Sequence, residues 1–377
     1  MLILALFLSL IIQINTKVNK KKIKEYINEC RLCRKVSFYD AENEENIERC
    51  YNTNNPKVSV VSACYNQQLF VIPLIRSIQK QLLKSLEIII VDDFSSDMTV
   101  ELVKDLQKFD NRIKLIQNKK NMGTLYTKSI GALNARGKYI QSVDCDDLFG
   151  RDDFLEVLYE KAESKYLDLI KTSNFCCNYN RILVAHQKVP KIYRRTNGDG
   201  DLINMTRILN NRLKNNGWTI SSLFVKTYLY KKALKKVGAE NYSRNVVYLD
   251  DVLIAHYLHK YANDYNTVNY PGVLFLKHKN SASHYKKSQL KSYISNAFFV
   301  VETILRRGNN TESDNISALS VFVFVMREFG SNLRILARED FVSLGRKLLK
   351  NKNLKALNFD GVETYKKTFE KICRCKI

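Results

Sequence analysis

Apolar residues fall into a repeating alternation that begins abruptly after Lys57. Val58-Ser-Val-Val-Ser-Ala-Cys64 is a short run of buried-strand type, and Glu87-Ile-Ile-Ile-Val91 is a second, more continuous one. Between them, Leu69 to Leu83 sets Leu74, Ile75, Ile78 and Leu82 at helical spacing. Ser95-Ser96-Asp97 reads as the cap of a helix whose inner face is Val100, Val103 and Leu106. Ile113 to Ile116 predicts a third strand, Gly123 to Ala135 a third helix stopped by Gly137, and Tyr139 to Val143 a fourth strand. Apolar strands alternating with helices roughly every 25–30 residues predict an α/β fold: a mostly parallel sheet with helices on both faces.

The flanks read differently. Met1 to Ile12 is almost wholly apolar, about the length of a signal-peptide core and short of the ~20 residues a spanning helix needs. Residues 1–16 are therefore expected to be a signal peptide or short membrane anchor. The favoured destination is the secretory pathway, endoplasmic reticulum or Golgi. The basic run Lys17 to Lys24 would oppose translocation of the chain beyond it, so the cytoplasmic face stays open. Four Asn-x-Ser/Thr sequons (Asn204, Asn241, Asn309, Asn315) are compatible with a lumenal chain. Residues 17–56 read as a helical preface ending in the turn Asn54-Asn55-Pro56. From Ser288 the pattern is helical again (Ile294, Phe298, Val301, Ile304; Leu319, Phe322, Val323, Met326), so 288–377 is expected to be a mainly helical region packed on the core or on a membrane surface.

Composition adds little to the fold but narrows the partners. A balance of 61 basic against 38 acidic residues gives a net charge of +23, which favours anionic partners. The basic residues are spread along the chain and no RNA or DNA recognition signature accompanies them, so nucleic acid is not expected. Nine cysteines at scattered spacings do not supply a matched zinc quartet; one or two disulfides, or none, fit better.

Polar chemistry gathers where the strands end. Tyr65-Asn66, Asp92-Asp93 and Asp144-Cys-Asp146-Asp147 come directly after the first, second and fourth strands. Ligands of such sheets bind beyond the carboxyl ends of the strands. Three carboxylates within four residues repel one another unless a cation neutralises them, and hard oxygens suit Mg²⁺ or Mn²⁺. The alternative is a solvated acidic turn capping the next helix.

These residues together resemble the family 2 glycosyltransferases of the GT-A (Rossmann-like) fold. Val58 to Asn66 is similar to the family's opening strand with its Tyr-Asn, and Glu87-Ile-Ile-Ile-Val-Asp92-Asp93-Phe-Ser95-Ser-Asp97-Met-Thr99 to its E-I-I-x-V-D-D-x-S-x-D-x-T. Asn121-Met-Gly123, Ala135-Arg-Gly137-Lys-Tyr-Ile140 and Asp144-Cys-Asp146-Asp147 resemble the segment leading into the metal motif and the motif itself. The resemblance implies a GT-A domain over 57–287, with a nucleotide and metal half at 57–150 and an acceptor half at 151–287. It implies a nucleotide-sugar donor, a UDP-sugar foremost, and a glycan, lipid or protein hydroxyl as acceptor. Tyr65 would lie against the nucleobase beside Asn66, and Asp93 would accept a hydrogen bond from it with Asp92 nearby. Asp144 and Asp146 would hold Mn²⁺ or Mg²⁺, Asp144 also meeting the donor, while Asp147 either caps the next helix or faces elsewhere. Departures are Lys128-Ser129 where the family often has Arg-Asn, the missing proline after the metal motif, and Ser62-Ala63-Cys64 where a proline is frequent.

In the family the general base is the last Asp of an acidic pair about a hundred residues beyond the metal motif. Val247-Tyr248-Leu249-Asp250-Asp251, ahead of a helical run, fits, and implies Asp251 as base with Asp250 beside it. Negative charge at a helix N-terminus is also favourable without catalysis, so capping is the plainer reading of that pair alone. Trp218 would form an acceptor wall or pack in the core. His256 and His259, one helical turn apart, read as a satisfied or exposed pair rather than metal ligands; His284, with His278 in a basic loop, is a weaker candidate for a late ligand. The expectation is a metal-dependent, inverting glycosyltransferase. Its rival is a non-catalytic carbohydrate- or partner-binding protein of the same fold, which would be expected to have lost an acidic ligand.

Overall fold

A computed structural model describes residues 51, 53–172, 175–178, 219–268, 270, 272–277, 287–309, 311–336, 338–350, 367 and 369–371. The apolar runs form strands β1 (Val58–Cys64), β2 (Leu86–Asp92), β3 (Ile113–Gln117) and β4 (Tyr139–Ser142). Helices α1 (Val71–Gln79), α2 (Thr99–Gln107) and α3 (Thr124–Asn134) separate them. Beyond β4 come β5 (Leu148–Phe149), α4 (Phe154–Ser164), β6 (Leu169–Thr172) and β7 (Phe175–Asn178). A 3₁₀ turn at Ile220–Ser222 then leads into β8 (Leu223–Lys226), α5 (Thr227–Val237) and α6 (Ala239–Tyr242). Next are α7 (Asp250–Tyr261), β9 (Tyr265–Val268) and β10 (Val273–Lys277), then α8 (Leu290–Arg307), α9 (Glu312–Leu336) and α10 (Arg338–Lys350).

Seven strands pair in the order β3-β2-β1-β4-β8-β6-β9, and β5-β10-β7 form a smaller sheet. All pairs in the large sheet are parallel except the two that β8 makes, with β4 and β6. Because β1 lies between β2 and β4, the strand order reverses there, and a crevice opens beyond the carboxyl ends of β1 and β4.

Both faces of the sheet are covered. Val60, Ile88 and Ile90 pack with Val71, Leu74, Val103 and Phe154 on one side. Val61, Ile89 and Val91 join Leu125, Leu229 and Leu253 on the other. That second cluster continues without a break through Ile294 and Val301 to Phe322, Phe341 and Phe369. Of the two surfaces expected for the C-terminal helices, the structure therefore shows the core. A buried polar network reinforces the seam: Asp314 meets His256 Nε2 at 3.0 Å and takes hydrogen bonds from Lys260 Nζ at 2.5 and 2.6 Å.

Three local expectations change. The first helix ends at Gln79, so Leu82 lies outside it and is 52% exposed rather than part of the inner face. The third helix stops at Asn134, before Gly137. Gly137 instead lets the chain touch β1: its N–H donates to Ser59 Oγ at 2.8 Å, and a Cβ there would lie 2.5 Å from Ser59 N. Among the described residues, 53–56 are not helical; the apolar start, the rest of the preface, Trp218, His278 and His284 fall outside the described residues. Among the described residues, no helix is long and apolar enough to cross a membrane.

Candidate active site

At the end of β1, Tyr65 is 48% exposed, its ring free to meet a ligand. Asn66 follows in a left-handed conformation (φ 54°) and joins two loops. Its N–H donates to Ser95 Oγ, and its side-chain oxygen accepts from Ser96 N, both at 2.9 Å. Asp92 and Asp93 are both buried at the end of β2. Asp92 Oδ2 accepts from Ser95 N at 3.0 Å, while its Oδ1 is buried without a hydrogen-bond partner among the described residues. Asp93 accepts from Asn118 Nδ2, Met122 N and Gly123 N, each at 2.8 Å. Asp93 thus clamps the loop that starts α3, a role that sequence reasoning missed.

The acidic motif splits by environment. The side chain of Asp144 is 39% exposed and Asp146 is half-buried. Asp147 is buried and accepts from Leu276 N at 3.0 Å, so it anchors β10 and does not cap α4, which starts at Phe154. Burial first, then the charges of Asp146 and Asp144, push its carboxyl well above the usual range. Cys145, between the two candidate ligands, is disulfide-bonded to Cys64, with Cα atoms 5.4 Å apart. The pairing was readable in principle. Val61 lies opposite Ser142 in the parallel ladder, and Cys64 and Cys145 each lie three residues further on.

The acidic pair opens α7, preceded by Leu249 in a left-handed conformation (φ 60°), unusual for a branched side chain and typical of functional turns. Asp250 and Asp251 turn toward Lys128 of α3. Lys128 Nζ lies 2.7 Å from Asp251 Oδ1, 3.2 Å from Asp250 Oδ2 and 3.0 Å from Asp144 Oδ1. Asp251 Oδ2 also accepts from Ile220 N at 3.3 Å. Burial alone would lower the Lys128 ammonium; Asp144, Asp250 and Asp251 outweigh it and hold it well above its ordinary value. Burial, with Asp250 and Asp144 adding and Lys128 opposing, pushes Asp251 up to about 7. The residues expected to meet the donor phosphates and to deprotonate the acceptor therefore surround one ammonium. That ammonium belongs to a position noticed in the sequence only as a departure.

Donor chemistry fits a divalent cation. Asp144 and Asp146 offer two accessible hard-oxygen ligands, and Mg²⁺-like ions bind through one or two carboxylates completed by water and substrate phosphates. Among the described residues, no group of three or more His, Cys, Asp or Glu is arranged to hold a metal unaided. His256 is taken up by Asp314 and by Ser317 Oγ, each at 3.0 Å, whereas His259 is buried with its Nδ1 lacking a hydrogen-bond partner among the described residues, so only the first of the pair is satisfied. Two sequons are closed to modification in the folded chain: Asn241 and Asn315 are buried, and their side-chain amides donate to Val237 O and Thr311 O. Asn309 is exposed, and Asn204 falls outside the described residues.

Residues 59–235 match the family described as glycosyl transferase family 2. Glycosyltransferase GlyG of Streptococcus pneumoniae is 32% identical over 113 residues, 30% of this chain and 37% of that protein. A GalNAc(5)-diNAcBac-PP-undecaprenol beta-1,3-glucosyltransferase of Campylobacter jejuni is 40% identical over 114 residues, 29% of this chain and 36% of that protein. The chain thus spans just over a third of the length of these relatives. Among solved structures, S. aureus TarS 1–349 in complex with UDP-GlcNAc superposes with a TM-score of 0.60 at 15% identity, covering 84% of this chain and 90% of that one. That likeness bears on the fold, which is GT-A-like.

Proposed function

From the match of residues 59–235 to glycosyl transferase family 2, we propose that the protein moves a sugar from a nucleotide-sugar donor to an acceptor hydroxyl with inversion. One observation carries the reading. Asp144, at the donor end of β4, and Asp251, at the start of α7, lie within 3.0 Å of the same Lys128 Nζ, so donor-side and base-side carboxylates share one crevice. The exposed Tyr65 ring suits a nucleobase, and TarS, which superposes on this chain, is described in complexes with UDP-GlcNAc and UDP; a UDP-sugar is the donor we favour.

In this reading Asp251 takes the proton of the acceptor hydroxyl as its oxygen bonds to the anomeric carbon. The bond from that carbon to the diphosphate breaks on the opposite face, and the nucleoside diphosphate leaves. Asp144 and Asp146 would hold Mn²⁺ or Mg²⁺, which supplies positive charge against the leaving diphosphate. Asn66, bonded to Ser95 and Ser96, fixes the loops on either side of Tyr65. Asp93 keeps the start of α3 in place, and Asp92 Oδ1 is left with unused acceptor capacity beside them. The acceptor is a hydroxyl of a glycan, lipid or protein. A secretory-pathway location is supported by the disulfide, a bond that persists in oxidising compartments, and by the apolar Met1 to Ile12.

The test is a hydrolysis and transfer screen of UDP-, GDP- and other sugar nucleotides with Mn²⁺ and with chelator. Parent activity should vanish with chelator, and Asp146→Ala and Asp251→Asn should each lose about a hundredfold or more. Donors that are all inert, or variants that match the parent, would leave the non-catalytic binding reading standing instead.

A further inference from the structure

Lys128 sits among the site carboxylates, but the proposed transfer scheme does not use it. Its side chain is 7% exposed, yet it faces three carboxylates from two elements that are far apart in sequence. An ammonium has three protons to give, so one lysine can address all three. Only the Asp251 contact is a formed hydrogen bond; Asp144 and Asp250 are held by charge at 3.0 and 3.2 Å. Asp250 Oδ2 has no hydrogen-bond partner among the described residues, and the Lys128 ammonium lies 3.2 Å from it.

The helix that carries the lysine is held in place. Gly123, at the start of its helix, is tied to Asp93, and Gly131 sits directly on Val61 of β1. Asp144, by contrast, is the most accessible of the three carboxylates. Three carboxylates face this one ammonium, so acidic groups outnumber basic ones around it.

We propose that Lys128 is a positioning residue that links cation occupancy at Asp144 to the orientation of Asp251. The proposal rests on the glycosyltransferase reading. The ammonium competes with a divalent cation for Asp144 Oδ1, which keeps the metal exchangeable. A cation at Asp144 in turn frees the ammonium to hold Asp251 and Asp250 more firmly. Donor loading and base alignment are thus coupled through one side chain.

Loss of the charge should act in opposite directions on two quantities, which a purely structural residue would not do. In the full-length chain with Lys128→Met, Mn²⁺ binding measured by titration calorimetry without donor should tighten about tenfold, as expected for removing a cation a few ångströms away at intermediate dielectric. The kcat for transfer should fall about a hundredfold, the lower end for a misplaced base. Lys128→Arg should restore most of both values, and thermal melting should confirm that the variants fold. Lys128→Gln keeps an uncharged donor, one bond shorter, and carries the same test if the Met variant does not fold. Unchanged or weaker Mn²⁺ affinity in the charge-removed variants, or an unchanged kcat, overturns the coupling while a metal-binding, active parent keeps the glycosyltransferase reading intact. A parent that binds no Mn²⁺ and turns over no donor sinks that reading and the coupling with it.

Discussion

Gly123 donates its backbone N–H to Asp93 Oδ2 at 2.8 Å, so the residue expected to read the nucleobase also fixes the first turn of the helix that carries Lys128. The donor edge and the base-side ion cluster are therefore joined through one short loop.

Gly123→Ala tests that join. The residue has φ +85°, and a Cβ would come 2.5 Å from Asn245 Oδ1 and 2.9 Å from Val246 N. We expect a loss of about 1–3 kcal/mol in denaturant unfolding, from strain at a left-handed position and the displaced backbone. Donor KM should rise alongside, because Asp93 loses its clamp. An alanine variant as stable as the parent would refute the tightness of this contact.

The pH profile of transfer should report Asp251. Burial, with Asp250 and Asp144 adding and Lys128 opposing, holds its carboxyl up to about 7. A base works deprotonated, so kcat/KM should rise about tenfold per pH unit below that value and level off above it. Positive charge at Asp144 lowers a nearby carboxyl, so increasing Mn²⁺ should move the limb to lower pH. Asp251→Asn should abolish the limb along with most of the rate; a profile identical in the parent and the variant would exclude this role.

Buried His259 should cost stability on mild acidification, while the raised carboxyls of Asp251 and Asp147 act in the opposite direction. Burial above all, with Lys171 and His256 nearby, depresses His259 to about 3, against about 6.5 for a free imidazole. Between those values the unfolded chain takes up a proton that the folded chain refuses. The stability present above pH 6.5 is therefore lost as the pH falls toward 3, about 2 kcal/mol of it by pH 5 for one such group. Burial also lowers His256, opposed by Asp314, and acts in the same direction. In denaturant unfolding from pH 7.5 to 5, His259→Gln should lose less stability than the parent, by about 2 kcal/mol; an equal pH dependence in both chains would count against it.

What the sequence made legible was the part held by local pattern. The first four strands and the existence of the helices between them were legible, because strands are continuous apolar runs and helices periodic ones between turn signals. The ends of the first and third helices were not. The convergence of Tyr65, Asp93 and Asp144 came from their places at strand ends. The insertion of β8 between β4 and β6, antiparallel to both, carries no periodic signal, because strand order depends on long-range pairing. Leu82 misled because it keeps helical spacing just beyond the point where the helix ends. Lys128 was visible only as an exception to a resemblance. Its importance comes from Asp250 and Asp251, which are more than a hundred positions away and reach it only once α7 packs beside α3. Asp147 could not be told from Asp146 by sequence, since what separates them is the Leu276 amide.

The bond between Cys64 and Cys145 turns the segment from β1 to the acidic motif into a covalent ring, with 81 positions separating its two ends. In the chain-entropy picture, closing a ring of that size removes about 4.5 kcal/mol of freedom from the unfolded chain. A protease that nicks any loop between the two cysteines would open the polypeptide without releasing a fragment. The nicked protein should keep its mass on a non-reducing gel and fall into two pieces once a thiol is added, with the metal-motif aspartates parting from Tyr65 only at that second step.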